Sequence, residues 1–241
     1  MNMIYGRNPV LEALAADAGV EKILIQKNIE GAGKKVYALA KKAGIPMQSV
    51  DKSVLDKAVG SGAHQGVVAY LAAYEYRSTE ELLAIAASRN EKPFLVILDG
   101  IEDPHNLGAI LRSADGAGAH GVIIPKRRAV SVTDTAVKAS AGAAMHVAVA
   151  RVGNLIQEIE KLRDAGLWIY GLDMDGQNYR QVRYSGAVAL VVGGEGGGLS
   201  RLVREKCDAL ISLPMRGKIT SLNASNAAAI ALYEMSAQIS E

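Results

Sequence analysis

Three features of the sequence predict an α/β fold built on a mainly parallel sheet. After Pro93 the apolar runs are continuous rather than alternating, as strands buried on both faces require. They are FLVILD (94–99), GVII (121–124), LWIYGLD (167–173), ALVVGG (189–194) and ALISLP (209–214). Helical patterns fall between them at 106–118, 154–165, 200–206 and, long and Ala-rich, 223–238, an alternation typical of βαβ units. Before Pro93 the elements are shorter, which predicts a small α/β module ahead of the larger domain.

Taken in order, KILIQ (22–26) reads as a strand and GKKVYALAKKAG (33–44) as a helix. Val36, Leu39 and Ala40 fall at helical spacing, with Lys34, Lys35, Lys41 and Lys42 on the remaining surface. PMQSV (46–50) and GVVAYLA (66–72) close this module, placed at residues 1–75. AYEYRSTEE (73–81) and a polar helix (79–90) connect it, over 76–92, to a domain spanning 93–241. There, Asn106 is the expected N-cap after Pro104. Leu107, Ile110, Leu111 and Ala114 form the expected buried stripe, and Asn106 and Arg112 are expected to share a face near the loop.

Composition narrows the function. Twenty-seven Lys+Arg against 25 Asp+Glu give a net charge of +2, which at first argues against a nucleic-acid partner. The charge is unevenly placed, however: residues 1–77 carry +3 and residues 78–241 carry −1. One Cys excludes a disulfide framework or a Cys-rich metal centre, and Cys207 reads as a small buried hydrophobe. His64, His105, His120 and His146 show no metal-ligand spacing. No apolar run approaches the roughly 18 residues of a membrane span, and no secretory signal is evident, so a soluble cytoplasmic protein is expected.

Ligands of open α/β sheets bind beyond the carboxyl ends of the strands, and three such loops are unusual. LDGIEDPHNLGAILRSADGAGAHG (98–121) offers Asn106 and Arg112, though a capped surface helix with an exposed arginine would look the same. Its GAGAHG matches G-x-G-x-x-G but closes a helix and enters a strand, the reverse of the dinucleotide-binding context. VVGGEGGGLS (191–200) packs five Gly into positions 193–198 with Glu195 among them. Glycines there let backbone approach a ligand, no P-loop Lys follows, and a flexible turn with a solvated Glu is the alternative. ISLPMRGKITSLNASNAAAIALYE (211–234) crowds Arg216, Lys218, Ser221 and Asn223 before a helix, where capping alone could explain the last two.

Together and in this order, DPHNLGAILRSADGAGAHGVI, VVGGEGGGLS and ISLPMRGKITSLNASNAAAIALYE resemble the three motifs of the SpoU family of RNA ribose 2′-O-methyltransferases, within the SPOUT class. YGRNPVLEAL and HQGVVA resemble the family's ribosomal-protein-like substrate-binding domain, so the likeness reaches nearly the whole chain. It is nearest to members that methylate a guanosine of 23S ribosomal RNA. The resemblance implies a catalytic domain tied in a deep trefoil knot and a homodimer whose active site is completed across the interface. It also implies S-adenosylmethionine bound near Gly193, Leu213 and Leu222.

By the same resemblance, Asn106, Arg112, Glu195, Ser221 and Asn223 form the catalytic site, with no metal. The reaction is in-line attack of a ribose 2′-hydroxyl on a sulfonium methyl, which needs alignment and proton removal. Arg112 is the base proposed in relatives, yet guanidinium groups hold their proton in proteins. Binding the target phosphate and lowering the hydroxyl's pKa suits it better. Arg216 and Lys218, Lys126, Arg127 and Arg128, and the lysines of 33–44 are candidate RNA contacts, or simply solvated surface. A transfer-RNA target, a catalytically inactive RNA-binding relative and a nicotinamide dehydrogenase are the competing readings. The last lacks a strand-to-helix G-x-G-x-x-G.

Overall fold

A computed structural model describes residues 3–15, 19–29, 31–60, 64–71 and 74–239. The chain divides into two units, Met1–Glu75 and Tyr76–Glu241.

The first unit holds β1 (Met3–Tyr5), α1 (Arg7–Ala15), β2 (Val20–Gln26), α2 (Ala32–Ala43), β3 (Met47–Val50), α3 (Lys52–Val59) and β4 (Val67–Leu71). Its sheet runs β1-β4-β2-β3, with β2 and β3 parallel and β4 antiparallel to both β1 and β2. Ala72, expected at the end of the last strand, lies outside the described residues. Three elements carry little sequence signal. β1 is a three-residue edge strand, α1 tolerates Pro9 only because it sits in the first turn, and α3 buries Leu55 alone. On α2, Val36 and Ala40 are fully buried as expected, but Leu39 is 41% exposed. The buried stripe runs through Gly33 instead, and six residues place Leu39 about 120° round the helix from it.

The second unit begins with α4 (Thr79–Ser88), held at its start by a Ser78–Glu81 capping box. There follow β5 (Phe94–Asp99), α5 (Pro104–Gly116), β6 (Gly121–Pro125), α6 (Asp134–Ala139), β7 (Val149–Val152), α7 (Leu155–Asp164), β8 (Trp168–Asn178), β9 (Val188–Gly193), α8 (Arg201–Lys206), β10 (Ala209–Ser212) and α9 (Ala224–Ile239). The six strands run β10-β8-β9-β5-β6-β7 and every pairing is parallel. Leu95, Ile97, Ile123, Ile169 and Val191 centre a core that also takes Leu82 from α4 and Ile159 and Leu162 from α7. β7 and α6 were not expected: β7 is an edge strand broken by half-buried Arg151, and α6 is six residues long.

Strand order reverses beside β5, since β6 and β7 extend one way and β9, β8 and β10 the other. Such a switch point opens a crevice at the carboxyl ends of the strands. α5 lies next to it, with Leu107, Ile110, Leu111 and Ala114 all fully buried. It packs against α6 and α9. A Cβ at Gly108 would stand 2.6 Å from the Ala136 carbonyl oxygen and 2.9 Å from the Ser140 nitrogen. Both are backbone atoms that cannot swing aside. Gly108→Ala is therefore expected to destabilise the protein by about 1–3 kcal/mol, read as a shift of the denaturant midpoint.

Two buried histidines serve the fold. The Phe94 N–H donates to His120 Nδ1 at 3.0 Å, so Nε2 carries the proton and donates to Glu91 at 2.8 Å. His64 repeats the arrangement, accepting from the Gly66 N–H and donating to Asp56, both at 2.9 Å. Histidines 105 and 146 are exposed.

Candidate active site

α5 starts one turn earlier than its sequence suggests. Asp103 is the N-cap, accepting the His105 N–H at 2.9 Å, and Pro104 occupies the first turn. Asn106 is thereby moved from the expected cap to the first turn, where it is 6% exposed and points into the protein. Its Nδ2 donates to Glu195 Oε1 at 2.5 Å. Asn223 Nδ2 donates to the same Glu195 oxygen at 2.7 Å and to Asn106 Oδ1 at 3.0 Å. Three residues up to 117 positions apart thus close one hydrogen-bonded ring around a carboxylate.

Asn223 is fixed by a second role. Its Oδ1 caps α9 by accepting the Ser225 N–H at 2.9 Å, the Ser225 hydroxyl at 2.6 Å and the Asn226 N–H at 3.3 Å. Capping and a place in the ring around Glu195 are both taken by this side chain. Ser225, 93% removed from solvent by burial, is a supporting residue the sequence reading missed; a hydroxyl two positions after a cap was its only signal.

Glu195 is carried by the loop between β9 and α8. The loop closes on itself through Gly198 N–H to Gly194 O at 3.0 Å. A Cβ at Gly193 would run into the backbone of Gly198 and Leu199, and one at Gly194 into the Gly100 carbonyl. These glycines are required by close approach of backbone.

Beside this loop lies a cleft of about 560 Å³, within the size range of small-ligand sites. Gly193, Leu213 and Leu222 all line it, as do Glu195 and Ser221. Its far wall was not foreseen. β8 pairs with β10 up to Gly171 and resumes at Gln177, so residues 172–176 leave the ladder. This excursion brings Asp173, Met174 and Asp175 to the cleft, where Arg204 of α8 pairs with Asp175 at 2.9 Å and Asp173 at 3.6 Å. Aspartates interrupting the apolar run after Leu172 were the available clue.

Arg112 stands apart. Six helical residues turn about 600°, leaving it roughly 120° from Asn106, and it is exposed where Asn106 is buried. The expected shared face is corrected accordingly: among the described residues Arg112 makes no hydrogen bond or ion pair. Arg216 and Lys218 are exposed on the irregular segment bordering the cleft. Lys126, Arg127 and Arg128 follow β6 at the same edge of the sheet, and Lys34, Lys35, Lys41 and Lys42 are exposed on α2 of the first unit.

Cys207 is half-buried against the core, its Sγ 3.4 Å from the Val203 carbonyl. Burial, with help from Asp208, Asp99 and Asp173, pushes its thiol from the ordinary 9.0 up to about 12. Because the folded value is raised, the stability this contributes is complete below about pH 9 and is lost as pH rises towards 12. A thiolate-directed reagent at pH 8 is expected to modify Cys207 slowly in the native protein and rapidly once denaturant unfolds it.

Comparison with known proteins finds the chain's relatives among RNA methyltransferases. Residues 93–233 match the SpoU rRNA methylase family, and residues 3–77 match the family described as RNA 2′-O ribose methyltransferase substrate binding. The TrmH family tRNA/rRNA methyltransferase YacO of Bacillus subtilis is 49% identical over 234 residues, covering 96% of this chain and 94% of the relative. A Staphylococcus saprophyticus protein of the same description is 46% identical over 235 residues, covering 97% and 94%. Among solved structures, the SpoU methyltransferase AviRb of Streptomyces viridochromogenes, crystallised with AdoMet, superposes with a TM-score of 0.61 at 26% identity, covering 98% of this chain and 89% of that one. An AdoMet-bound rRNA methyltransferase of Sinorhizobium meliloti gives 0.59 at 27%, covering 97% and 85%.

Proposed function

From membership of the SpoU rRNA methylase family, to which this chain belongs, we propose that it transfers a methyl group from S-adenosylmethionine to a ribose 2′-hydroxyl of RNA, at a guanosine of 23S ribosomal RNA in the cytoplasm. The observation that carries the chemistry is the glycine loop, which lines the cleft with its backbone and holds Glu195 in the ring with Asn106 and Asn223. Ribosomal RNA is favoured by the match of residues 93–233 to a family described as an rRNA methylase and by the likeness to the rRNA methyltransferase of Sinorhizobium meliloti.

The residues present fit the cofactor. Gly193 lets the glycine loop close on itself beside the cleft where a side chain would hold it open, and Leu213 and Leu222 offer apolar surface for an adenine ring. When bound, S-adenosylmethionine supplies an electrophilic methyl on a sulfonium that departs as a neutral thioether. Asn106 and Asn223 fix one oxygen of Glu195 and leave the other to orient the ribose. Ser221 holds the substrate at the cleft edge. Arg112 binds the target phosphate and stabilises negative charge growing on O2′, the proton passing to that phosphate. Arg216, Lys218 and Lys126, Arg127 and Arg128 meet neighbouring phosphates.

A homodimer belongs to the proposal, because Arg112 must reach a ring it does not touch within its own chain. Exposed Ile230 and Tyr233 on α9, which packs on α5, supply apolar surface for a second copy. A trefoil knot belongs to it too. Its support is the return of the segment after β10, which puts Leu213 and Leu222 in one cleft with Gly193 and brings Asn223 to Glu195. The decisive experiment maps 2′-O-methyl groups across all RNA from cells with and without the protein. Loss at one guanosine of 23S RNA is expected. Loss at a transfer-RNA position alone would replace the substrate, and no change anywhere would leave an RNA-binding protein.

A further inference from the structure

We infer that Asp99 is a positioning residue for methyl transfer: it grips both ends of the glycine loop and through it sets Glu195 and the wall of the cofactor cleft. This rests on the function proposed above.

Asp99 ends β5 in register with Gly193, the last residue of β9. Its carbonyl accepts the Gly194 N–H at 2.9 Å. Its Oδ2 accepts the Ser200 N–H at 2.7 Å. The first bond fastens the loop where it leaves the sheet and the second where it enters α8. Ser200 makes no side-chain cap of its own, so the Asp99 carboxylate also serves one donor that the helix start leaves open. Beyond Asp99 the chain turns at Gly100 (φ 81°), reaches the Asp103 cap and delivers Asn106 to Glu195. The connection from β5 to α5 therefore registers the loop twice, at its base through Asp99 and at its acidic side chain through Asn106. A run of five glycines has too much backbone freedom to hold Glu195 without such ties.

The test compares S-adenosylmethionine binding by isothermal titration calorimetry in the full chain and four variants, with thermal midpoints alongside. Asp99→Ala is expected to weaken binding about tenfold or more, since an acceptor of a backbone N–H is lost. Asp99→Asn keeps an acceptor and is expected to stay within about threefold. Ser200→Pro removes the donor instead, at a residue whose φ of −62° proline adopts. It should match Asp99→Ala, and the double variant should be no weaker than either single change. Unchanged binding in Asp99→Ala, an Asn variant as weak as the Ala variant, or effects that multiply in the double variant would each overturn the assignment. If Asp99→Ala does not fold, Asp99→Asn and Ser200→Pro carry the same comparison. A wild-type protein that binds no S-adenosylmethionine would overturn the proposed function together with this inference, and that result needs no variant to be seen.

Discussion

Arg112→Ala is expected to lower single-turnover methyl transfer about 10²–10³-fold, the usual cost of removing one donor aimed at developing charge. The fold should survive, because Arg112 is exposed and pairs with nothing among the described residues. RNA affinity should change by no more than the loss of one phosphate contact. Arg112→Lys should fall between, keeping the charge and losing the two-pronged geometry. Near-normal turnover by Arg112→Ala would remove the residue from the site. Its separation from Asn106 allows a second measurement. If a second copy completes the site, mixing the inactive Arg112→Ala and Glu195→Gln proteins should restore about a quarter of wild-type activity through random re-pairing of subunits. No restoration after subunit exchange would place each site within one chain.

Gly193→Ala should weaken cofactor binding by up to about 100-fold while leaving the sheet intact. The added methyl meets Gly198 and Leu199 backbone, and those atoms are held by the Gly198–Gly194 and Ser200–Asp99 hydrogen bonds. A clash of about 1–3 kcal/mol is worth up to about 100-fold in Kd, measured by calorimetry. Gly196→Ala is the control, since its methyl meets nothing within 4 Å. If both variants bind alike, the glycines matter for flexibility rather than for close approach.

Much of the fold was legible because parallel strands buried on both faces must be apolar throughout, and FLVILD, GVII and ALVVGG are. β7 escaped notice because an edge strand can hold Arg151 at its margin. Leu39 was misplaced because spacing marks a helix face without saying which residue a neighbour covers. At the site, the resemblance pointed to Asn106, Glu195 and Asn223 where capping or a solvated turn could explain each alone, but only the fold shows them in one ring. Sequence spacing suggested that Asn106 and Arg112 share a face, and the helix turns them apart. Asp99 escaped because a strand-ending aspartate is common, and what distinguishes it is a partner 101 positions away.

Residues 172–176 of β8 take no part in the ladder with β10, whose register shifts by five residues across them. Pairing with β9 ends at Leu172, so residues 173–176 belong to neither ladder, although the Ser212 hydroxyl holds the Gly176 carbonyl at 2.7 Å. A residue added or removed there would reshape one wall of the cleft, including Met174, its two flanking aspartates and their ion pairs with Arg204, whereas the ring around Glu195 is built from α5, the glycine loop and the start of α9. The protein thus keeps the ring around Glu195 on parts that cannot change length and one wall of its cleft on a part that can.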